Sequence, residues 1–209
     1  MKYPLVDVEE AESTKERILL VAVRLFSING YASVSMRDIA SSINIKPASI
    51  YNHFESKEAL FGAIIDTIKS VYMDFYDRLG RNVRKATCFT DVIECLFAEL
   101  RDVYHMLIYY GITLIVTEQY RNERARIAFN DIFMKMGIDY SAKLFADSIA
   151  KGWVKDFDTK ALATFFMNSI CVGSLIRTQQ ALNNPTAYDA TEMFASLQEF
   201  MLSSVEVIK

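Results

Sequence analysis

Glycine and proline are scarce. The chain has 7 and 3 of them in 209 residues, too few for a many-turned β fold, and the shortage predicts long helices. Cysteine is scarce too. Cys88, Cys95 and Cys171 have no metal-type spacing, and an odd, sparse set points to free thiols in a reducing cytoplasm. Histidine occurs only as His53 and His105. No HExxH, GxSxG, GxGxxG or Walker-type loop is present, so neither metal nor nucleophilic catalysis has a visible apparatus. The sequence therefore predicts no enzyme, no metal site and no cofactor. Long apolar runs are missing as well. The longest near-continuous one is "MLIYYGITLIV", Met106–Val116, about half of what a membrane span needs. The N-terminus "MKYPLVDVEEAES" is acidic and has no apolar signal core. These absences predict a cytoplasmic protein with no membrane partner.

Apolar residues are plentiful. They make up 52% of the chain, ample for a sizeable core. The net charge of −3 hides a partition: residues 13–85 carry +4, residues 86–209 carry −4 and the first 12 carry −3. A polyanion would meet the first of these segments. A split of that size is also an ordinary fluctuation, so it decides nothing alone.

Local signals place the helices. Ser13-x-x-Glu16 has the spacing of a capping box. Ile18, Leu19, Ala22 and Phe26 follow at helical period, and Asn29-Gly30 supplies a stop. Ser35-x-x-Asp38 opens a short second helix whose inner face is Ile39, Ala40 and Ile43. Asn44 tolerates positive φ and can turn the chain. Pro47 suits the first turn of a third helix. Ser56 caps a fourth, with Leu60, Phe61, Ile64, Ile65 and Ile68 inward, expected to end at Gly80. Further helices are expected over roughly 89–104, 106–118, 122–150, 159–182 and 187–207, with Asp158 and Thr186 as caps and Asn183–Pro185 as a break. The expected fold is all-α. Its expected divisions are an acidic terminus at 1–12, a helix-turn-helix at 13–56, a connecting helix and basic linker at 57–85, and a helical remainder at 86–209.

Three short helices, the second and third joined by a tight turn, make a helix-turn-helix. At about 100° per residue, Ile50 and Phe54 face the bundle. Ala48, Ser49 and Asn52 face away, with Tyr51 and His53 at the margins. A major groove accepts a helix of this size. Small Ala48 and Ser49 permit close approach, Asn52 can read an adenine edge, and Tyr51 and His53 can donate to phosphate. Arg37 could reach a guanine edge or a phosphate. Lys57 starts the fourth helix, whose amides also favour phosphate. Singly, each of these side chains is as readily an ordinary surface residue. Together with the turn and the caps they point to DNA.

The stretch "SMRDIASSINIKPASIYNHFESKEALF", with "AVRLFSINGY" before it, resembles the DNA-binding signature of TetR-type transcriptional regulators over about residues 13–61. The resemblance implies an all-helical homodimer in which three helices bind a double-stranded DNA operator and the remainder binds an unidentified small-molecule effector and the second subunit. By position, Ser35, Arg37, Lys46, Ser49, Tyr51, Asn52, His53 and Lys57 match places that touch DNA in that family. The sequence departs from the pattern at Asn44, where Gly is usual, at Lys46, where a Ser or Thr cap is usual, and at Pro47.

"DFDTKALATFFMNSICVGSLIRTQQAL" resembles the family's penultimate helix, which pairs with the last helix and their copies as a four-helix bundle. Phe166, Ser169, Ile170, Gly173 and Arg177 lie on one stripe, and Phe194, Leu197 and Met201 on another, so both are candidate dimer faces. Intramolecular core faces would look the same. Aromatic and thioether side chains are dense in the second part, as they are in apolar pockets. Candidate ligand residues are Tyr104, His105, Tyr109, Tyr110, Thr113, Phe133, Met134, Phe165 and Asn168. An aromatic stripe at helical spacing is more often plain core. The expected function is a repressor released from a palindromic operator by a small hydrophobic or aromatic ligand. A DNA-binding dimer controlled without a small molecule, or an activator, remains open at this point.

Overall fold

Ser13 opens α1 (Thr14–Asn29) by accepting the Glu16 amide at 3.2 Å. The computed structural model describes residues 11, 13–103, 106–180 and 190–208. Thr186, Asn183–Pro185, Tyr104 and His105 lie outside these. The side chains of residues 102, 103, 106 and 190 are likewise outside what is described. Among the described residues the fold is all-α, with one isolated antiparallel bridge, Val154 to Val207.

α1 buries Ile18, Leu20, Val21, Ala22, Val23 and Phe26 and closes at Gly30, where φ is 81°. Leu19, expected inward, is half-buried, and Leu20 takes the inner place. α2 (Met36–Ser42) starts from a full capping box, and α3 (Pro47–Tyr51) has Pro at its first turn. Between them Asn44 has a positive φ of 54°, as the turn requires. Ser56 caps α4 (Lys57–Val83) by accepting the Ala59 amide at 3.0 Å.

α4 does not stop at Gly80. The helix runs on to Val83, because Gly80 has a packing job, not a turning one. A Cβ there would stand 3.0 Å from the Tyr140 hydroxyl, which donates to the Tyr76 carbonyl at 3.2 Å. α5 (Phe89–Val103) and α6 (Met106–Glu118) follow the expected spans.

The stretch expected as one helix over 122–150 is composite. α7 (Glu123–Phe129) is capped by Asn122. A π-helical segment, Asn130–Ile138, leads into α8 (Asp139–Ala150). Gly137 sits inside the widened segment against α9, where a Cβ would overlap Met167 Cε and come within 2.8 Å of its sulfur. α9 (Thr159–Gln180) is capped by Asp158, whose carboxylate accepts the Ala161 amide at 2.9 Å. α10 (Ala190–Ser203) ends before 207.

Two compact units interleave along the chain. One holds residues up to Val71 with Tyr104–Phe129, and the other Tyr72–Val103 with Asn130–Lys209. The sequence reading instead set its divisions contiguously. In the first unit Phe26, Tyr31 and Phe61 form an aromatic cluster with centroids 4.8–6.4 Å apart. α6 packs there through Gly111, where a Cβ would overlap Ile68 Cδ1.

In the second unit Phe89, Phe145 and Phe157 form a triangle, and Phe97 stacks edge-on to Phe166 at 5.9 Å. Arg78 ties α4 to α5 by donating to Glu99 at 2.8 Å, and Asn82 donates to the same carboxylate at 2.6 Å. α9 is long and apolar enough to cross a membrane by composition, although the sequence reading singled out only 106–116. Its inner residues, Leu162, Phe166, Met167 and Ile170, are buried within this unit.

Candidate nucleic-acid interface

The α2–α3 pair splits cleanly into two faces. Ile39, Ala40, Ile43, Ile50 and Phe54 are buried. Arg37, Lys46, Ala48, Asn52 and His53 are exposed, Ser49 is half-buried, and the Tyr51 ring is 53% exposed. The expected outward residues are thus exposed, except that Ser49 is half-buried. α3 is short: it ends at Tyr51, and Asn52 and His53 sit in the turn that closes it, with the His53 and Phe54 amides both donating to the Ile50 carbonyl at 2.9 Å.

Ser35 is placed differently from a free donor. Its hydroxyl and its amide both donate to Asp38 Oδ2 at 2.7 Å, and its oxygen accepts the Asp38 amide at 3.2 Å. Both donors are thus used within the cap, and Ser35 builds the surface without a proton left for phosphate. The Ser35 hydroxyl and then its amide hold the Asp38 carboxyl below its ordinary range. Lys46 makes no side-chain cap bond, as its lack of an acceptor requires.

Ser35, Arg37, Tyr51 and Lys57 line an open hollow of about 460 Å³ with the 32–36 turn. Lys57 lies 4.3 Å over the Tyr31 ring and donates to the Ala32 carbonyl at 3.4 Å. Partial burial lowers its pKa, with Glu118 and Asp38 opposing.

Sequence reasoning missed two supporting residues. Lys15, on the first turn of α1, stands 5.7 Å from the Phe54 ring centroid and adds a cation beside the end of α3; its place in the first turn after Ser13 was the available signal. Glu118, the last residue of α6, is buried and accepts the Tyr31 amide at 3.0 Å across 87 positions. Nothing local in the sequence could have joined those two.

The ligand candidates are divided between the two units. Tyr110 and Thr113 are buried and Tyr109 half-buried in the first unit. Phe133 is buried in the second, edge-on to Tyr72 at 6.4 Å. Met134, Phe165 and Asn168 are exposed, and this corrects their expected place in a cavity: their helix faces point outward.

The dimer stripe needs a similar correction. Phe166, Ile170, Gly173, Leu197 and Met201 are buried within the chain. A Cβ on Gly173 would stand 2.7 Å from Met193 Cε and Phe194 Cζ, so α9 and α10 close on each other there. Phe194 is half-buried, Ser169 bonds the Phe165 carbonyl, and Arg177 donates to Thr191 at 2.9 Å. The outward apolar residues are Phe165, Val172 and Phe200, with the two rings 5.1 Å apart.

The described thiols are poor nucleophiles where shifts are resolved. Burial raises Cys95 and pushes Cys171 up to about 12. No group of three or more His, Cys, Asp or Glu is placed to hold a metal among the described residues.

Residues 18–64 match the model of the family described as "Bacterial regulatory proteins, tetR family". The HTH-type transcriptional regulator UidR of Escherichia coli K12 is 52% identical over 56 residues, 27% of this chain and 29% of that protein. The biofilm-operon negative transcriptional regulator IcaR of Staphylococcus epidermidis is 36% identical over 61 residues, 29% of this chain and 33% of that protein. The match thus spans about a third or less of either relative. A transcriptional regulator of Saccharomonospora viridis, solved with choline, superposes with a TM-score of 0.67 at 22% identity, covering 92% of this chain and 97% of that one. Over residues 18–64 the chain thus carries the sequence pattern of the tetR family, and over 92% of its length it shares the fold of the Saccharomonospora viridis regulator.

Proposed function

We propose that this chain is a transcriptional repressor that binds a palindromic operator as a homodimer and leaves it when a small molecule binds. The observation that carries the reading is the outward face of α2–α3. Arg37 and Tyr51 line one open hollow, and Asn52 and His53 are exposed directly after Tyr51, on a segment whose apolar side chains are already used inward. A polar, cationic face with no intramolecular work suits a major groove and its phosphate walls.

The second copy is expected on Phe165, Val172 and Phe200, the apolar residues left outside on α9 and α10. Two recognition helices would then meet two half-sites one helical turn apart. Repression is the sign of the relative IcaR. The neighbour solved with choline shows that a protein of this fold holds a small molecule, and effector binding in this chain is proposed among the helices of 89–182. A shift of α4, which runs from the first unit into the second, would spoil the half-site spacing. The coupling required is about 1–3 kcal/mol. The working compartment on this reading is the cytoplasm.

The experiment is operator selection from random duplexes at moderate salt. An inverted repeat is expected, with affinity falling steeply as salt rises. Arg37→Ala and Tyr51→Ala should each weaken the selected site by about 1–3 kcal/mol with the helical content unchanged. Recovery of no preferred sequence, or normal binding by both variants, defeats the reading.

A further inference from the structure

We propose that a groove on the second unit, centred on Tyr140, binds a small organic cation with an apolar body. The inference deepens the effector part of the reading above, and rests on that reading only for any consequence at DNA. The groove lies between the second half of α4, the π-helical segment and α8, and has a volume of about 490 Å³. That is the size of a small-molecule site. Its floor is aromatic and thioether: Tyr76 and Tyr140, with centroids 4.6 Å apart, and Met73 and Met136.

The charges on its edge are not balanced. Asp77 and Asp139 both line it and have no ion-pair partner among the described residues. The two lysines on the rim each have a carboxylate of their own, Lys135 with Asp131 at 3.3 Å and Lys143 with Asp147 at 2.8 Å. The unmatched charge of the groove is therefore negative. Burial first, and then the negative charge of Asp77, raises the Tyr140 phenol, with Lys143 and Arg84 opposing.

Tyr140 is also held. Its hydroxyl donates to the Tyr76 carbonyl at 3.2 Å, and Gly80 leaves the room for it. The ring is thus fixed in place before any ligand arrives. A ring face with a free carboxylate beside it favours a cation, and the thioethers favour an apolar body. A neutral ligand would leave Asp77 unanswered, and an anion would meet it.

The test is calorimetric titration of benzyltrimethylammonium chloride into the full-length protein without DNA. Benzyl alcohol and sodium phenylacetate, at matched ionic strength, are the neutral and anionic controls. The cation is expected to bind at least roughly tenfold more tightly than either control. Asp77→Asn should weaken it about three- to tenfold. Tyr140→Leu removes the ring and should abolish binding. Thermal melting checks that each variant is folded; Asp77 is exposed, so Asp77→Asn carries the test should a Tyr140 variant fail to fold. No binding by the cation, equal binding by benzyl alcohol, or an unchanged affinity in Asp77→Asn overturns the proposal. Release of a selected operator by the same compound is a separate measurement. Binding without release defeats the compound as effector and leaves the site standing.

Discussion

The α2–α3 pair and the α9–α10 pair are built on opposite plans. Both bury an apolar face: Ile39, Ala40 and Ile50 in the first, Phe166, Met167, Ile170, Leu197 and Met201 in the second. They differ in what is left outside. The first shows Arg37, Tyr51, Asn52 and His53 to solvent, the second Phe165, Val172 and Phe200. The buried faces are interchangeable in kind and say only that each pair is part of a core. The outward faces are where the two pairs differ, polar on one and apolar on the other, and the proposed partners, DNA and a second copy, rest on that difference.

The largest test of that contrast pairs two adjacent residues. Phe166 is buried against Phe97, and its neighbour Phe165 is exposed beside Phe200. Phe166→Ala should cost about 3–5 kcal/mol of unfolding free energy, read by urea denaturation at low protein concentration. Phe165→Ala should move the same measurement by about 0.5 kcal/mol or less. In sedimentation, Phe165→Glu with Phe200→Glu should yield monomers. A reversal, with Phe165 costly to stability and the double variant still dimeric, would show the apolar face to be assigned to the wrong side of α9.

How much of this was legible follows from the reach of each signal. The helix-turn-helix was legible because its devices are local. The Ser35–Asp38 box, positive φ at Asn44 and Pro47 at the first turn of α3 each involve residues within a few positions. Tyr51, Asn52 and His53 were then placed by a short wheel around Ile50.

α9 gave no such contrast. Phe165, Phe166, Met167, Ile170 and Val172 put apolar side chains on both sides, so periodicity marks a helix without saying which stripe faces inward. The π-helical segment hides for a related reason: no local pattern marks it, and the use of its Gly137 appears only against Met167 on another helix. Gly80 was read as a stop because only Tyr140, sixty positions on, gives its missing Cβ a purpose.

The turn that leads from α1 into α2 is tied to α6, and Glu118 supplies a measurable part of that tie. Its buried carboxylate accepts the Tyr31 amide at 3.0 Å. Glu118→Ala strands that amide and should cost about 1–3 kcal/mol, with faster hydrogen exchange at Tyr31. Glu118→Gln keeps an acceptor and should lose less. Equal losses in the two variants would assign the effect to charge, through Lys57, and not to the amide.

A smaller effect separates the cap from the core by pH. Asp38 has its folded pKa lowered by the Ser35 hydroxyl and amide, and Asp91 by the Thr87 amide and hydroxyl. A lowered folded value means that each contributes stability that is complete above the unfolded carboxyl pKa of about 4 and is lost as pH falls through the folded value. Melting temperature should therefore be flat from neutral pH down to about pH 5 as far as these groups go, and fall below about pH 4. Ser35→Ala should flatten the Asp38 part of that fall. An unchanged acid limb in Ser35→Ala would assign the fall to Asp91 and other carboxyls.

The smallest expected effect is the one whose sign is least obvious. Gly62 lies inside α4, and a Cβ there would overlap Nη1 of Arg124 and stand 3.3 Å from its Cζ. Taken alone, that overlap argues for loss. Arg124 is exposed, however, and the atoms in the way are the far end of a long side chain, free to swing aside at small cost. Alanine is also the better helix former by about 0.5–1 kcal/mol in a helix interior. Gly62→Ala should therefore be neutral to stabilising by up to about 1 kcal/mol, read as a higher melting temperature. A clear loss would mean that the guanidinium is fixed in its seat on α4. α7 would then hold α4 as α6 holds the α1–α2 turn, through two long-range contacts that no local pattern records.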